Sequence, residues 1–173
     1  EHLKETDTVT SFIQDDESEL GVWFGDPCYV VPEDQWSFFC DRMFAFEKRN
    51  KHLDRHYVAQ VTDEAFGLPF YCWSTAYGDG SYQLQLNGDN VASLGVDAGL
   101  LSAIPMSLIK RWGTESEAMR LGHVLPSHAC EGKLISDGGD MWFEGSYNNI
   151  SIPTGYQDDQ DEDEDECDEE SYV

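Results

Sequence analysis

Positive charge is scarce in this chain: 10 Lys and Arg stand against 35 Asp and Glu in 173 residues, a formal net charge of −25. A field of that sign repels nucleic-acid phosphate and anionic lipid at long range, which argues against direct DNA or RNA binding and against a membrane surface as partner. Long apolar runs are missing too. No stretch approaches the roughly 18–20 apolar residues of a membrane-spanning helix, and the first 20 residues are acidic where a secretory signal is basic and then apolar. A soluble, cytoplasmic protein is the expectation.

Cysteine is sparse and odd in number: Cys28, Cys40, Cys72, Cys130 and Cys167, with no CxxC spacing. That pattern suits neither a zinc site nor a disulfide-stapled scaffold. Cys28, Cys40 and Cys72 lie among apolar neighbours, where a free thiol behaves as a small buried hydrophobe. The chain also lacks a Gly-x-Ser-x-Gly elbow, a P-loop, an HExxH helix and a dinucleotide fingerprint, so no cofactor is expected and phosphoryl transfer is disfavoured. No fixed-period repeat marks a solenoid or propeller.

What is present is enough apolar material for a core, 40% hydrophobic and 13% aromatic residues, and a very uneven charge. Residues 1–20 carry a net −6, residues 21–156 a net −8, and residues 157–173 a net −11 with no base at all. This divides the chain into an acidic arm (1–19), one globular unit (20–156) and an acidic tail (157–173) too polar and self-repelling to fold alone. One region opposes the trend: Arg42, Lys48, Arg49, Lys51 and Arg55 place half of all the bases in one short stretch, with His52 and His56 beside them. Such a patch reads as the solvated end of a helix and its following loop, and it is also complementary to the acidic tail.

The element pattern predicts an α+β fold, a mostly antiparallel, curled sheet packed by one long amphipathic helix over about 33–50 and a short helix over about 105–112. Pro32-Glu33-Asp34 opens the long helix with proline in the first turn and acids at the positive end of the dipole. Its apolar residues Trp36, Phe39, Cys40, Met43, Phe44 and Phe46 recur at helical spacing and predict one buried face. Strands are expected at 22–24, 28–31, 56–61, 70–76, 81–86, 91–96, 122–125, 132–135, 141–143 and 147–152. Residues 81–86 alternate as a half-buried strand does, and Asn87-Gly88-Asp89-Asn90 predicts a hairpin turn.

Gly25-Asp26-Pro27-Cys28-Tyr29, followed later by Gly78-Asp79-Gly80-Ser81-Tyr82, gives residues 21–100 a resemblance to uncharacterised small bacterial and phage-encoded β domains, in which an Asp-Pro-Cys-Tyr turn precedes one strand and a Gly-Asp-Gly-x-Tyr turn opens another. The resemblance implies a β-rich module of phage or bacterial origin. It transfers no catalytic residue.

Taken physically, Asp26 and Asp79 stand at strand entrances, where a carboxylate caps backbone N–H groups. The functional alternative makes Asp26 and Asp79, with Asp97, oxygen ligands for Ca²⁺ or Mg²⁺. A nucleophilic Cys28 would need His123 or His128 as its base. Tyr71, Trp73 and Tyr77 are candidates for an aromatic interface anchor. The carboxylates that supply the field are Asp158, Asp159, Asp161, Glu162, Asp163 and Glu164, continuing through Asp165, Glu166, Asp168, Glu169 and Glu170. Together these features predict an acidic protein-binding protein, a DNA mimic or inhibitor, that engages a basic surface on a nucleic-acid-processing or defence protein. The alternatives are a small metal- or ligand-dependent enzyme using Asp26, Cys28 and Asp79, and a virion or structural component.

Overall fold

The computed structural model describes residues 8–9, 21–51, 58–63, 65–130, 133–137, 139–144 and 148–154. The acidic tail, Arg55, His52, His56 and most of the arm lie outside the described residues.

Among the described residues eleven strands form two antiparallel sheets. The first has the order β1-β9-β10-β11-β5-β6: Thr8–Val9 (β1), Lys133–Asp137 (β9), Asp140–Glu144 (β10), Ile150–Ile152 (β11), Gly80–Leu86 (β5) and Asp89–Val96 (β6). The second has the order β3-β4-β7-β2-β8: Ala59–Thr62 (β3), Pro69–Ser74 (β4), Leu100–Pro105 (β7), Val22–Gly25 (β2) and His123–Leu125 (β8). Three helices, Glu33–Arg49 (α1), Met106–Trp112 (α2) and Glu115–Leu121 (α3), complete the described fold.

Two separate cores set the layering. One lies between the sheets, where Phe24, Trp73 and Leu101 of the second sheet meet Leu84, Leu94, Met141 and Ile150 of the first. The other lies between the second sheet and the helices, where Trp23, Phe70 and Ile104 meet Phe39, Met43, Leu108 and Ile109. The second sheet is therefore buried on both faces, and its strands are apolar at successive positions: Val22-Trp23-Phe24 and Phe70-Tyr71-Cys72-Trp73 are buried throughout. The first sheet covers only one face, so Tyr82 and Leu84 turn inward while Ser81 and Gln83 turn to water.

The long and short helices stand where the sequence places them. Asn50 caps α1, its side-chain amide donating to the Phe46 carbonyl at 2.9 Å, and Gly113 closes α2 in the left-handed conformation that favours glycine. Five details differ from expectation. Residues 27–29 form a 3-10 turn where an extended run was predicted, because Asp26 accepts from the Cys28 amide and winds the chain. Strand β7 and helix α3 carry no sequence prediction. The run Leu100–Pro105 does not alternate, and α3 buries only Ala118. Phe44 is 64% exposed, not part of the buried face. At about 100° per residue, Phe44 and Phe46 fall on opposite shoulders of the Trp36-Cys40-Met43 stripe, and only the Phe46 side meets the sheet. The hairpin turn is tighter than expected, two residues with Asn87 and Gly88 both at positive φ. Cys72 is buried as predicted, but Cys28 and Cys40 are half-buried.

Candidate binding surface at the acidic loop end

Three connections converge at one end of the sandwich: the β2 exit (26–29), the β4–β5 loop (75–79) and the β6–β7 loop (97–99). Asp26, fully buried, joins two of them. Its Oδ1 accepts from the Cys28 amide at 2.9 Å, and its Oδ2 accepts from the amides of Asp97 and Ala98, both at 2.7 Å. One carboxylate thus supplies acceptors for three backbone donors that the turns leave without partners of their own. The third loop is tied in by the Thr75 amide, which donates to Gly99 O at 3.2 Å, and by the Tyr82 hydroxyl, which donates to Gly78 O at 2.9 Å.

Asp97 and Asp79 stand exposed on this frame. The Tyr29 hydroxyl donates to Asp97 Oδ2 at 2.6 Å, fixing that carboxylate. In the β4–β5 loop Tyr77 has 59% of its surface exposed. The last described residue, Thr154, is fastened to the same place: its Oγ1 accepts from the amide of Ala76 at 3.0 Å, and its own amide donates to Asp140 Oδ1 at 2.9 Å. The last described residue is therefore bonded within the loop that carries Tyr77 and Asp79.

The structure separates the candidate residues into two groups. Tyr71 and Trp73 do not form an aromatic face with Tyr77; both are buried on β4, in the core between the sheets, and only Tyr77 reaches solvent. The reason is their strand: β4 is the second from the edge of the sheet covered on both sides, so neither face of it is open. Asp26 and Asp79 both act on Cys28, but Asp26 has both oxygens committed to backbone amides. Among the described residues no group of three or more His, Cys, Asp or Glu is placed to hold a metal ion.

Cys28 lies amid this negative charge. Burial, then the neighbouring Asp26 charge and hydrogen bond, then Asp97 and Asp79, push its pKa up to about 12. A nucleophilic cysteine needs the opposite environment, a cation or base beside it, and His123 stands on β8, paired across from Phe24. His128, the other predicted base, has no described side chain. The expected outcome is that Cys28 stays a thiol at pH 8 and alkylates slowly with iodoacetamide. Asp79→Asn with Asp97→Asn, by removing two repelling charges, should speed it several-fold. Peptide mapping by mass spectrometry checks both, and a fast, pH-independent Cys28 would contradict them.

Sequence reasoning weighed Asp26 as a cap and named Asp79 and Tyr77, but it missed Thr154. A lone threonine before a Gly-Tyr pair has no signature; only the fold shows that it fastens the start of the tail to the loop that carries Tyr77. The chain matches no protein-family model, no curated protein and no solved structure.

Proposed function

We propose that this protein binds a basic surface on another protein, of the kind that nucleic-acid-processing or defence enzymes present to DNA, and occupies it with carboxylates in place of phosphates. One observation carries the reading: exposed Tyr77 shares one end of the sandwich with the exposed carboxylates Asp79 and Asp97, and Thr154, three residues before a segment with 11 acids and no base, is bonded to the neighbouring Ala76. The summed field steers a cationic partner and sets the on-rate. An aromatic anchor within it supplies contact that salt does not screen, and tyrosine is among the residue types that concentrate binding energy. Asp26 makes the platform rigid before the partner arrives, which lowers the ordering cost of binding.

The test is affinity capture on the full-length chain, with purified captured proteins then measured by titration at low and high salt. A basic nucleic-acid-binding partner is expected, displaced by added duplex DNA and weakened about tenfold or more as salt rises. Neutralising the acids of 158–170 to Asn and Gln should flatten the salt dependence. Tyr77→Ala should weaken binding about tenfold at either salt concentration. Binding indifferent to salt and to duplex DNA would remove the proposal.

A further inference from the structure

The basic residues that oppose the overall charge gather around a groove. α1 passes along the edge strand β3, and between them lies a depression of about 260 Å³ whose lining includes Phe46, Ala59 and Val61 and whose two charged residues are Arg42 and Arg49. Arg42 is held in place, its guanidinium donating to Thr62 O at 3.1 Å and resting 4.9 Å from the centre of the Phe38 ring. Arg49 lies 6.0 Å from the Phe46 ring centre, and Lys48 and Lys51 stand exposed nearby. Residues 42–51 hold four bases and one acid. Among the described residues nothing pairs with the outer side of β3. An open strand edge flanked by arginines suits an extended, acidic peptide, whose main chain can follow the edge while its carboxylates meet the guanidinium groups.

We propose that this groove is the docking site of the chain's own acidic tail, residues 157–173. Charge complementarity selects the occupant: residues 157–173 carry 11 acids and no base, the densest negative charge in the chain. Its length and origin permit it. Thr154 is fastened at the acidic loop end. α1 begins at that same end, since Cys28, Glu33 and Trp36 line one pocket. The groove residues of α1, Arg42 to Arg49, lie about 14–24 Å along the helix from Glu33. The 19 residues after Thr154 reach about 60 Å when extended. Asp79 and Asp97 repel the tail from its own root, and the cationic end of α1 is where that repulsion gives way to attraction. Tethering raises the effective concentration to about the millimolar range, enough to support a contact too weak to form between separate molecules.

The docking itself stands apart from the partner proposed above; only its regulatory consequence rests on that reading. A docked tail covers the cationic groove and withholds its own carboxylates, so a basic partner must compete for it.

The experiment places a nitroxide on Cys167 of the full-length chain, with Cys28→Ser and Cys40→Ser so that the remaining thiols, Cys72 and Cys130, are buried. Amide intensities are then read by NMR. At low salt the amides of Ala45, Arg49, Ala59 and Gln60 are expected to lose most of their intensity, and high salt should restore them. Lys48→Glu with Arg49→Glu, both exposed and outside the cores, should abolish the broadening. Changing four tail acids to Lys in that variant should bring it back. Full intensity in the groove at low salt, or broadening that persists in the charge-reversed variant, overturns the proposal. Broadening seen only when spin-labelled and isotope-labelled chains are mixed also overturns it, assigning the groove to the tail of a second copy. A docked tail without any captured partner would sink the proposed function and leave this inference standing; a captured partner with an undocked tail would do the reverse.

Discussion

Asp26→Ala is expected to lower the unfolding free energy by about 4 kcal/mol, measured by urea denaturation with Asp26→Asn as its companion. The alanine removes three hydrogen bonds to a carboxylate, each worth roughly 1.5–3 kcal/mol. Two of the three donors, the amides of Asp97 and Ala98, belong to exposed residues and regain water in the variant, which keeps the sum near the lower end. Asn keeps one acceptor oxygen but turns an N–H₂ toward donors, so about 2 kcal/mol is expected from it. Both losses should be the same with and without a metal chelator, because the carboxylate acts through backbone amides. A loss below about 1 kcal/mol from Asp26→Ala, or a loss that appears only when divalent ions are present, would contradict the capping role.

Gly122→Ala should cost about 3 kcal/mol through a different mechanism, overpacking. The Trp23 indole is fully buried and lies flat against two glycines. A β-carbon on Gly122 would come within 2.4–2.5 Å of its ring atoms, and one on Gly25 within 2.6 Å. Gly25 is two positions along the same strand and so on the same face, which is why glycine there leaves room for the ring. The ring has little freedom to retreat: its Nε1 donates to Ala118 O at 2.7 Å, tying β2 to α3. Trp23→Phe alone should also destabilise, losing that bond and volume. Combined with Gly122→Ala it should cost clearly less than the two added together, since the smaller ring makes space for the methyl group. Full additivity in thermal or chemical unfolding would show that Trp23 and Gly122 do not press on one another.

The two variants also mark what the sequence discloses. Short-range signals were readable: the Pro32-Glu33-Asp34 helix start, the alternation of 81–86, the Asn87-Gly88 turn and the Asp26 cap all follow from residues within a few positions of one another. Long-range ones were not. Leu100–Pro105 lies in a sheet covered on both faces, so it lacks the alternation that identifies a strand, and Ser102 in its midst reads as a break until its hydroxyl is seen donating to Gly25 O at 2.7 Å. Tyr71 and Trp73 have the same composition as an exposed aromatic patch, and only the position of β4 within its sheet decides that they are core. At the candidate surface, composition pointed to carboxylates and to Tyr77. That Thr154 brings the start of the tail to the same loop depends on a contact 78 residues apart in sequence.

The place of β2 has a consequence for how the chain is made. Its neighbours are β7 and β8, and Trp23 lies opposite Ile104 and Val124. On a ribosome adding roughly 5–20 residues per second, Val22-Trp23-Phe24 must wait on the order of 5–20 s for its second partner strand to be synthesised. During that interval three of the most completely buried residues of the finished protein are a sticky nascent segment. The neighbours in sequence limit the hazard: Gly21 precedes the run, and Gly25, Asp26 and Pro27 end it. The run is thereby too short for the six- or seven-residue cross-β stack that drives aggregation. A charge and a proline at its boundary are the residue types that guard such segments. Asp26 therefore has two duties separated in time, gatekeeper to an unpaired strand while the chain grows, and hub of the loop end once β7 and β8 have closed around it.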